Sequence, residues 1–194
     1  MRWDALSFSA FHLVNRLYGA KTMQSLIKRR ITLPDGPATL ARLPGGPEPG
    51  PATDALLQAA RRLMGEDIFV MGPGATGTAL WTARQGGTIT YWTDNVAEAE
   101  SLEASFRLNH LLARLQVVLQ PDFSGLTPAF YTMALVHLPR GRALQTEALA
   151  LSAALLQPGG RLVFVGATHE GVKGAHREAQ RLFGHAGIVV RKGG

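Results

Sequence analysis

The stretch from Ile68 to Gly77, Ile-Phe-Val-Met-Gly-Pro-Gly-Ala-Thr-Gly, constrains the fold of this chain more than any other. Four apolar residues, too few for a helix and closed by glycine, read as a strand buried on both faces. Gly72, Gly74 and Gly77 then permit a tight turn, because glycine tolerates backbone angles that side chains forbid. Thr78 to Arg84 follows as a helix. The alternation continues downstream. Strands are expected at Thr88 to Trp92, Gln116 to Leu119, Thr132 to Val136, Arg161 to Gly166 and Gly187 to Val190. Helices are expected at Ala97 to Leu112, Arg142 to Leu156 and Val172 to Phe183. Such alternation predicts an α/β fold: a doubly wound, mostly parallel sheet with helices on both faces.

Residues 51–194 make up this expected domain, and residues 1–50 read as an extension. Within the extension, Leu6, Phe11, Val14, Leu17 and Tyr18 fall at near-helical spacing, so Trp3 to Arg30 reads as a helix ending in the basic cluster Lys28, Arg29, Arg30. It would pack on its own domain or lie on an anionic surface such as RNA. Ile31 to Leu43 reads as a hairpin around Pro34-Asp35-Gly36-Pro37. Leu43 to Pro51 is rich in Pro and Gly and reads as a linker. Thr53 is the expected N-cap of a helix from Asp54 to Met64.

Composition limits the function classes. Lys and Arg number 20 against 14 Asp and Glu, a net charge of +6 that suits a polyanionic partner such as RNA or a solvated basic surface. With 46% hydrophobic and 18% charged residues the chain reads as globular rather than disordered. The absence of cysteine excludes disulfide scaffolds and thiolate metal sites. His12, His110, His169, His176 and His185 form no convincing ligand set, so no metal is expected. No apolar run reaches membrane-spanning length. Asp4 and His12 interrupt the mildly apolar start, and no small-residue cleavage site follows, so the cytoplasm is the expected location.

Three strand ends carry candidate chemistry. At the first, the glycine turn lets a ligand approach the backbone, and the following helix offers unpaired N–H groups. At the second, Asp94 could accept hydrogen bonds from both hydroxyls of a ribose, while Asp94 or Asn95 could equally cap the next helix. At the third, Asp122 could accept from an adenine amino group and Phe123 could pack near the base; a turn aspartate is the competing reading. Farther on, Leu155-Leu156-Gln157-Pro158-Gly159-Gly160-Arg161-Leu162 reads as a helix end, a stop and a new strand.

Leu-x-Pro-Gly-Gly-Arg-Leu after a helix, taken with the turn at Gly72 to Gly77, Asp94 and Asp122, resembles the Rossmann-like class I S-adenosylmethionine-dependent methyltransferases from Thr53 onward. His137-Leu138-Pro139-Arg140-Gly141-Arg142-Ala143-Leu144, followed by Gly166-Ala167-Thr168-His169-Glu170-Gly171-Val172-Lys173, is similar to the RsmC-like "methyltransferase small domain" group, which methylates guanines of ribosomal RNA and often carries two related domains. The resemblance implies S-adenosylmethionine as cofactor. Gly72, Gly74 and Gly77 would approach its methionine part, Asp94 with Asn95 would hold the ribose, and Asp122 with Phe123 the adenine. It also implies RNA, by analogy ribosomal RNA, as substrate, and a second methyltransferase domain or a homodimer as partner. His137, Pro139 and Arg140 would occupy the catalytic loop.

The chain departs from that pattern in four places. Val70 and Met71 stand where the group places an acid, and the turn is Gly-x-Gly-x-x-Gly rather than Gly-x-Gly-x-Gly. His137-Leu138-Pro139-Arg140 replaces Asn-Pro-Pro-aromatic, as in the non-catalytic half of the tandem enzymes. The C-terminal strand of the fold is expected to be missing. A catalytically degenerate module that binds RNA or a partner domain is therefore a second reading. A nicotinamide-dependent oxidoreductase, suggested by the glycine turn and Asp94, is a third.

Overall fold

The computed structural model describes residues 26–43, 51–60, 65–167 and 171–188. Two strands, β1 (Ile27–Leu33) and β2 (Gly36–Arg42), form an antiparallel hairpin. There follow α1 (Pro51–Ala60), β3 (Asp67–Met71), α2 (Thr76–Arg84), β4 (Thr88–Thr93), α3 (Val96–Leu108), β5 (Leu115–Leu119), β6 (Tyr131–His137), α4 (Arg142–Leu155), β7 (Leu156–Val165) and α5 (Val172–Phe183). Strands β3 to β7 form one parallel sheet in the order β5-β4-β3-β6-β7.

The pleat sorts the core into two halves, because successive side chains of a strand point to opposite faces. Ile68 and Val70 of β3, Ile89 and Tyr91 of β4, and Met133 and Leu135 of β6 pack with α1, α2, α3 and the hairpin. Phe69 and Met71, Ala134 and Val136 face the other way, onto Ala148, Leu149 and Leu155 of α4 and Ala175 of α5. Helices thus cover both faces, which is why β3 and β6 are nearly continuous apolar runs.

Several sequence expectations shift. Lys28, Arg29 and Arg30 lie in β1, not at a helix end. Ile31, Leu33, Ala38 and Leu40 join the core, so strand pairing to β2 overrides the helical spacing read further upstream; residues 1–25 of that expected helix lie outside the described residues. Helix α1 begins at Pro51, a residue suited to the first turn because its missing N–H would be unpaired there anyway. Thr53 is therefore buried inside the helix and is not its N-cap. β7 starts at Leu156, ahead of Pro158-Gly159-Gly160. Leu156 pairs with Tyr131 and Arg161 with Met133, so residues 157–160 form an excursion within the strand rather than a stop before it. Gly187 and Ile188 carry no strand; the rest of that expected strand lies outside the described residues.

One tertiary joint was invisible in the sequence. The outer edge of β2 is met by side chains of α3 in place of another strand. Ala41 donates its N–H to Ser105 Oγ at 2.9 Å, and that oxygen lies 3.1 Å from the Ala41 carbonyl. Thr39 donates to Asn109 Oδ1 at 3.2 Å, and Asn109 Nδ2 donates to the Thr39 carbonyl at 2.7 Å. Four residues of helix rise about 6 Å and two residues of strand about 6.8 Å, so the two repeats coincide over this span. Arg84 reinforces the joint, donating to the Pro37 carbonyl at 2.8 Å and to Asn109 Oδ1 at 3.1 Å. Asn109→Ala is expected to loosen the hairpin by about 1–2 kcal/mol, since both backbone groups of Thr39 lose their partner. Amide hydrogen exchange checks this: Thr39 should exchange about tenfold faster in the variant, and an unchanged rate would discount the joint.

Candidate functional site

The sheet reverses its winding between β3 and β6, and a cavity of about 660 Å³ opens there beyond the strands' carboxyl ends. Met71, Gly72, Pro73, Gly74 and Thr76 line it from β3 and the start of α2. Trp92 to Asn95, Ala97, Glu98 and Ser101 line it from β4 and α3. Phe123 enters from the loop after β5, and Pro139, Leu144, Glu147 and Ala148 from the loop after β6 and from α4. Leu40 to Leu43 of the hairpin close one side. The volume and mixed lining suit an organic molecule of nucleoside size or larger.

The glycine turn is shaped by its neighbour. Gly72 has φ of +103° and Gly74 of +78°. A Cβ at Gly72 would overlap the His137 carbonyl, so the tips of β3 and β6 can cross this closely only with glycine there. Gly77, by contrast, is buried within α2 and does not line the cavity. The spare N–H groups of the helix start are offered by Thr76 and its neighbours, with no side chain capping them.

At the tip of β4 the two readings separate onto two residues. Asn95 is the N-cap: its Oδ1 accepts from Ala97 N at 2.9 Å and from Glu98 N at 3.4 Å. Asp94 is exposed on the cavity wall, and no hydrogen bond engages it among the described residues. Behind it lies a network that sequence reasoning missed. Tyr91 donates to Glu98 Oε1 at 2.9 Å, its hydroxyl also lying 3.2 Å from the Gly72 carbonyl, and Thr93 donates to Glu98 Oε2 at 2.7 Å. Burial, then the Glu98 carboxylate, push the Tyr91 phenol well above its ordinary pKa, which keeps it protonated. Asn95 followed three residues later by Glu98 has the spacing of a capping box. Here Thr93 stands between them, its Oγ1 accepting the Asn95 N–H at 3.1 Å.

The loop after β5 favours the turn reading of Asp122. Its Oδ1 accepts from Ser124 N at 3.0 Å and Ser124 Oγ at 2.7 Å, bonds that hold the carboxyl below its usual pKa, and it does not line the cavity. Asp122 thus makes the turn contacts that competed with the adenine-facing expectation. Phe123 does reach the cavity and packs on Trp92 with ring centroids 4.4 Å apart. Trp92 Nε1 donates to the Asp122 carbonyl at 2.8 Å, which fixes this aromatic pair.

The expected catalytic loop divides as well. Pro139 lines the cavity, but His137 and Arg140 do not. His137 is 6% exposed and its Nε2 lies 3.2 Å from Thr78 Oγ1. Burial depresses its pKa to about 4, so it is neutral at pH 7. It braces β6 against α2. Leu144 and Glu147 face the cavity in this region instead, on a helix whose apolar spacing alone did not mark them.

The fold is that of the class I S-adenosylmethionine-dependent methyltransferases. The likeness extends in particular to RsmC, the 16S rRNA guanine-N2 methyltransferase of T. thermophilus solved with AdoMet and guanosine: TM-score 0.72 at 21% identity over 82% of this chain. This chain spans 46% of that enzyme's length. The ribosomal protein L11 methylase of Lactobacillus delbrueckii subsp. bulgaricus gives TM-score 0.59 at 13% identity, covering 73% of each chain. A SAM-dependent O-methyltransferase of Thermotoga maritima gives TM-score 0.59 at 16% identity over 79% of this chain and 62% of that one. No family model matches the sequence, and no curated protein does. Among the described residues no helix is long and apolar enough to cross a membrane.

Proposed function

We propose that this chain binds S-adenosylmethionine in the cavity at the β3/β6 reversal and transfers its methyl group to a base amine of RNA, by analogy ribosomal RNA. The observation that carries the reading is the Asp94 carboxylate at the tip of β4, relieved of capping by Asn95 and facing the cavity beside the glycine turn. A carboxylate so placed accepts from both hydroxyls of a ribose. The other linings fit the rest of the molecule. Trp92 and Phe123 offer an aromatic wall to a base. Gly72 and Gly74 bring backbone, unscreened by side chains, to the opposite end.

When bound, the cofactor supplies an electrophilic methyl on a sulfonium. The chain's own residues orient and exclude water: Asp94 holds the ribose, and Pro139 and Leu144 form an apolar wall on the acceptor side, where no strong acid or base is required. The net charge of +6, with Lys28 and Arg30 exposed on the hairpin, supports an RNA substrate.

The burial of His137 and the absence of Arg140 from the cavity favour a second reading, a fold retained for RNA binding without transfer. Calorimetric titration with S-adenosylhomocysteine, NADH and RNA separates these. Micromolar binding of the first supports methyl transfer. Binding of neither small molecule with retained RNA affinity supports the module, and NADH binding supports an oxidoreductase. Asp94→Ala is expected to weaken cofactor binding at least tenfold, about 1.4 kcal/mol; an unchanged dissociation constant removes Asp94 from the site.

A further inference from the structure

Glu98 is linked to the Gly72 carbonyl through the Tyr91 hydroxyl, and among the described residues it is paired to no cation. Among the described residues it lines the cavity with two other carboxylates, Asp94 and Glu147. Its partners are the hydroxyls of Tyr91 and Thr93, both neutral. β3 itself brings no carboxylate to this end, since its last residues are the buried Val70 and Met71. The Tyr91 hydroxyl lies within hydrogen-bond distance of two acceptors, Glu98 Oε1 at 2.9 Å and the Gly72 carbonyl at 3.2 Å. A phenol has one proton, so only one acceptor receives it at a time. The Gly72 carbonyl and the Glu98 carboxylate therefore offer more acceptor positions than the Tyr91 and Thr93 hydroxyls fill, and Glu98 adds a negative charge; the cation of the described lining, Arg42, belongs to the hairpin wall.

We propose that Glu98, held by Tyr91 and Thr93 beside the Gly72 carbonyl, receives the primary ammonium of the amino-acid tail of the bound cofactor. An ammonium supplies three donors and a positive charge, the complement of these acceptors, whereas a carboxylate placed there would be repelled. The inference rests on the methyl-donor reading above and assigns the acid for the tail to α3 rather than to β3.

Titration calorimetry on the intact chain tests it with three ligands: S-adenosylhomocysteine, its analogue lacking only the amino group, and 5′-methylthioadenosine, which lacks the whole tail. Wild-type protein is expected to bind the deaminated analogue about tenfold more weakly than S-adenosylhomocysteine. Glu98→Gln should erase that preference while leaving affinity for 5′-methylthioadenosine unchanged. Tyr91→Phe, a second variant that keeps the charge but removes the hydroxyl locating it, should reduce the preference by about threefold. Equal wild-type affinity for the first two ligands overturns the assignment while the methyl-donor reading stands. So does a Glu98→Gln variant that keeps the full preference, or, if that variant does not fold, a Tyr91→Phe variant that does so. Failure of wild-type protein to bind any of the three overturns both.

Discussion

Gly72→Ala is expected to cost the folded state on the order of 4 kcal/mol, from backbone strain and from overpacking. The φ of +103° is one that L residues rarely adopt, and the new Cβ would overlap the His137 carbonyl. Relief requires the tips of β3 and β6 to part, which opens the ladder at Met71 and Val136, the last pair of its register. Gly86→Ala separates the two causes. Gly86 has nearly the same φ, +101°, yet a Cβ there meets nothing within 4 Å. Its cost should therefore be strain alone, about 1–2 kcal/mol. Urea unfolding of the two variants measures the difference. Equal midpoints would mean that the close crossing of β3 and β6 contributes nothing to the constraint at Gly72.

The second large effect is a dependence of stability on pH set by His137. In the folded chain burial lowers its pKa to about 4, whereas an unconstrained histidine titrates near 6.5. Below pH 6.5 the unfolded chain takes up a proton that the folded chain refuses, so the equilibrium moves toward unfolding as pH falls. The contribution is complete above about 6.5, declines through the interval, and is spent near pH 4. Its span is roughly 3 kcal/mol. His137→Asn, which cannot titrate, should show a flatter profile. Carboxylates titrate in the same range, so the informative quantity is the wild-type profile minus the variant profile between pH 7 and 4.5. Parallel profiles would show that His137 protonates freely in the folded protein.

How far the sequence could be read depended on whether an element is determined locally. β3 and the glycine turn were legible because an apolar run closed by glycine has few alternatives. Both faces of the sheet followed from the alternation of strands and helices. Reading failed where a distant partner decides. Lys28, Arg29 and Arg30 join a strand because β2 lies alongside, and nothing within residues 26–30 reveals that. Leu156 is in β7 because Tyr131 pairs with it across the excursion at Pro158. Of the cavity lining, Asp94 and Phe123 were legible because strand tips are where such folds bind ligands. Glu98 was passed over because its spacing from Asn95 is that of an ordinary cap. The wall of Leu40 to Leu43 depends on Ser105 and Asn109, polar residues one helical turn apart whose meaning appears only when the hairpin is seen against α3.

The excursion of residues 157–160 has a bearing on self-association. β7 is a border strand: β6 takes one side, and among the described residues no strand takes the other. A bare border ten residues long would template pairing with a second molecule. Pro158 has no N–H to offer, the looped-out backbone is out of line, and the exposed Arg161 places a charge where the ladder resumes. Only Leu162 to Val165 presents a straight, unbroken rim, so the length available for templating is less than half that of the strand.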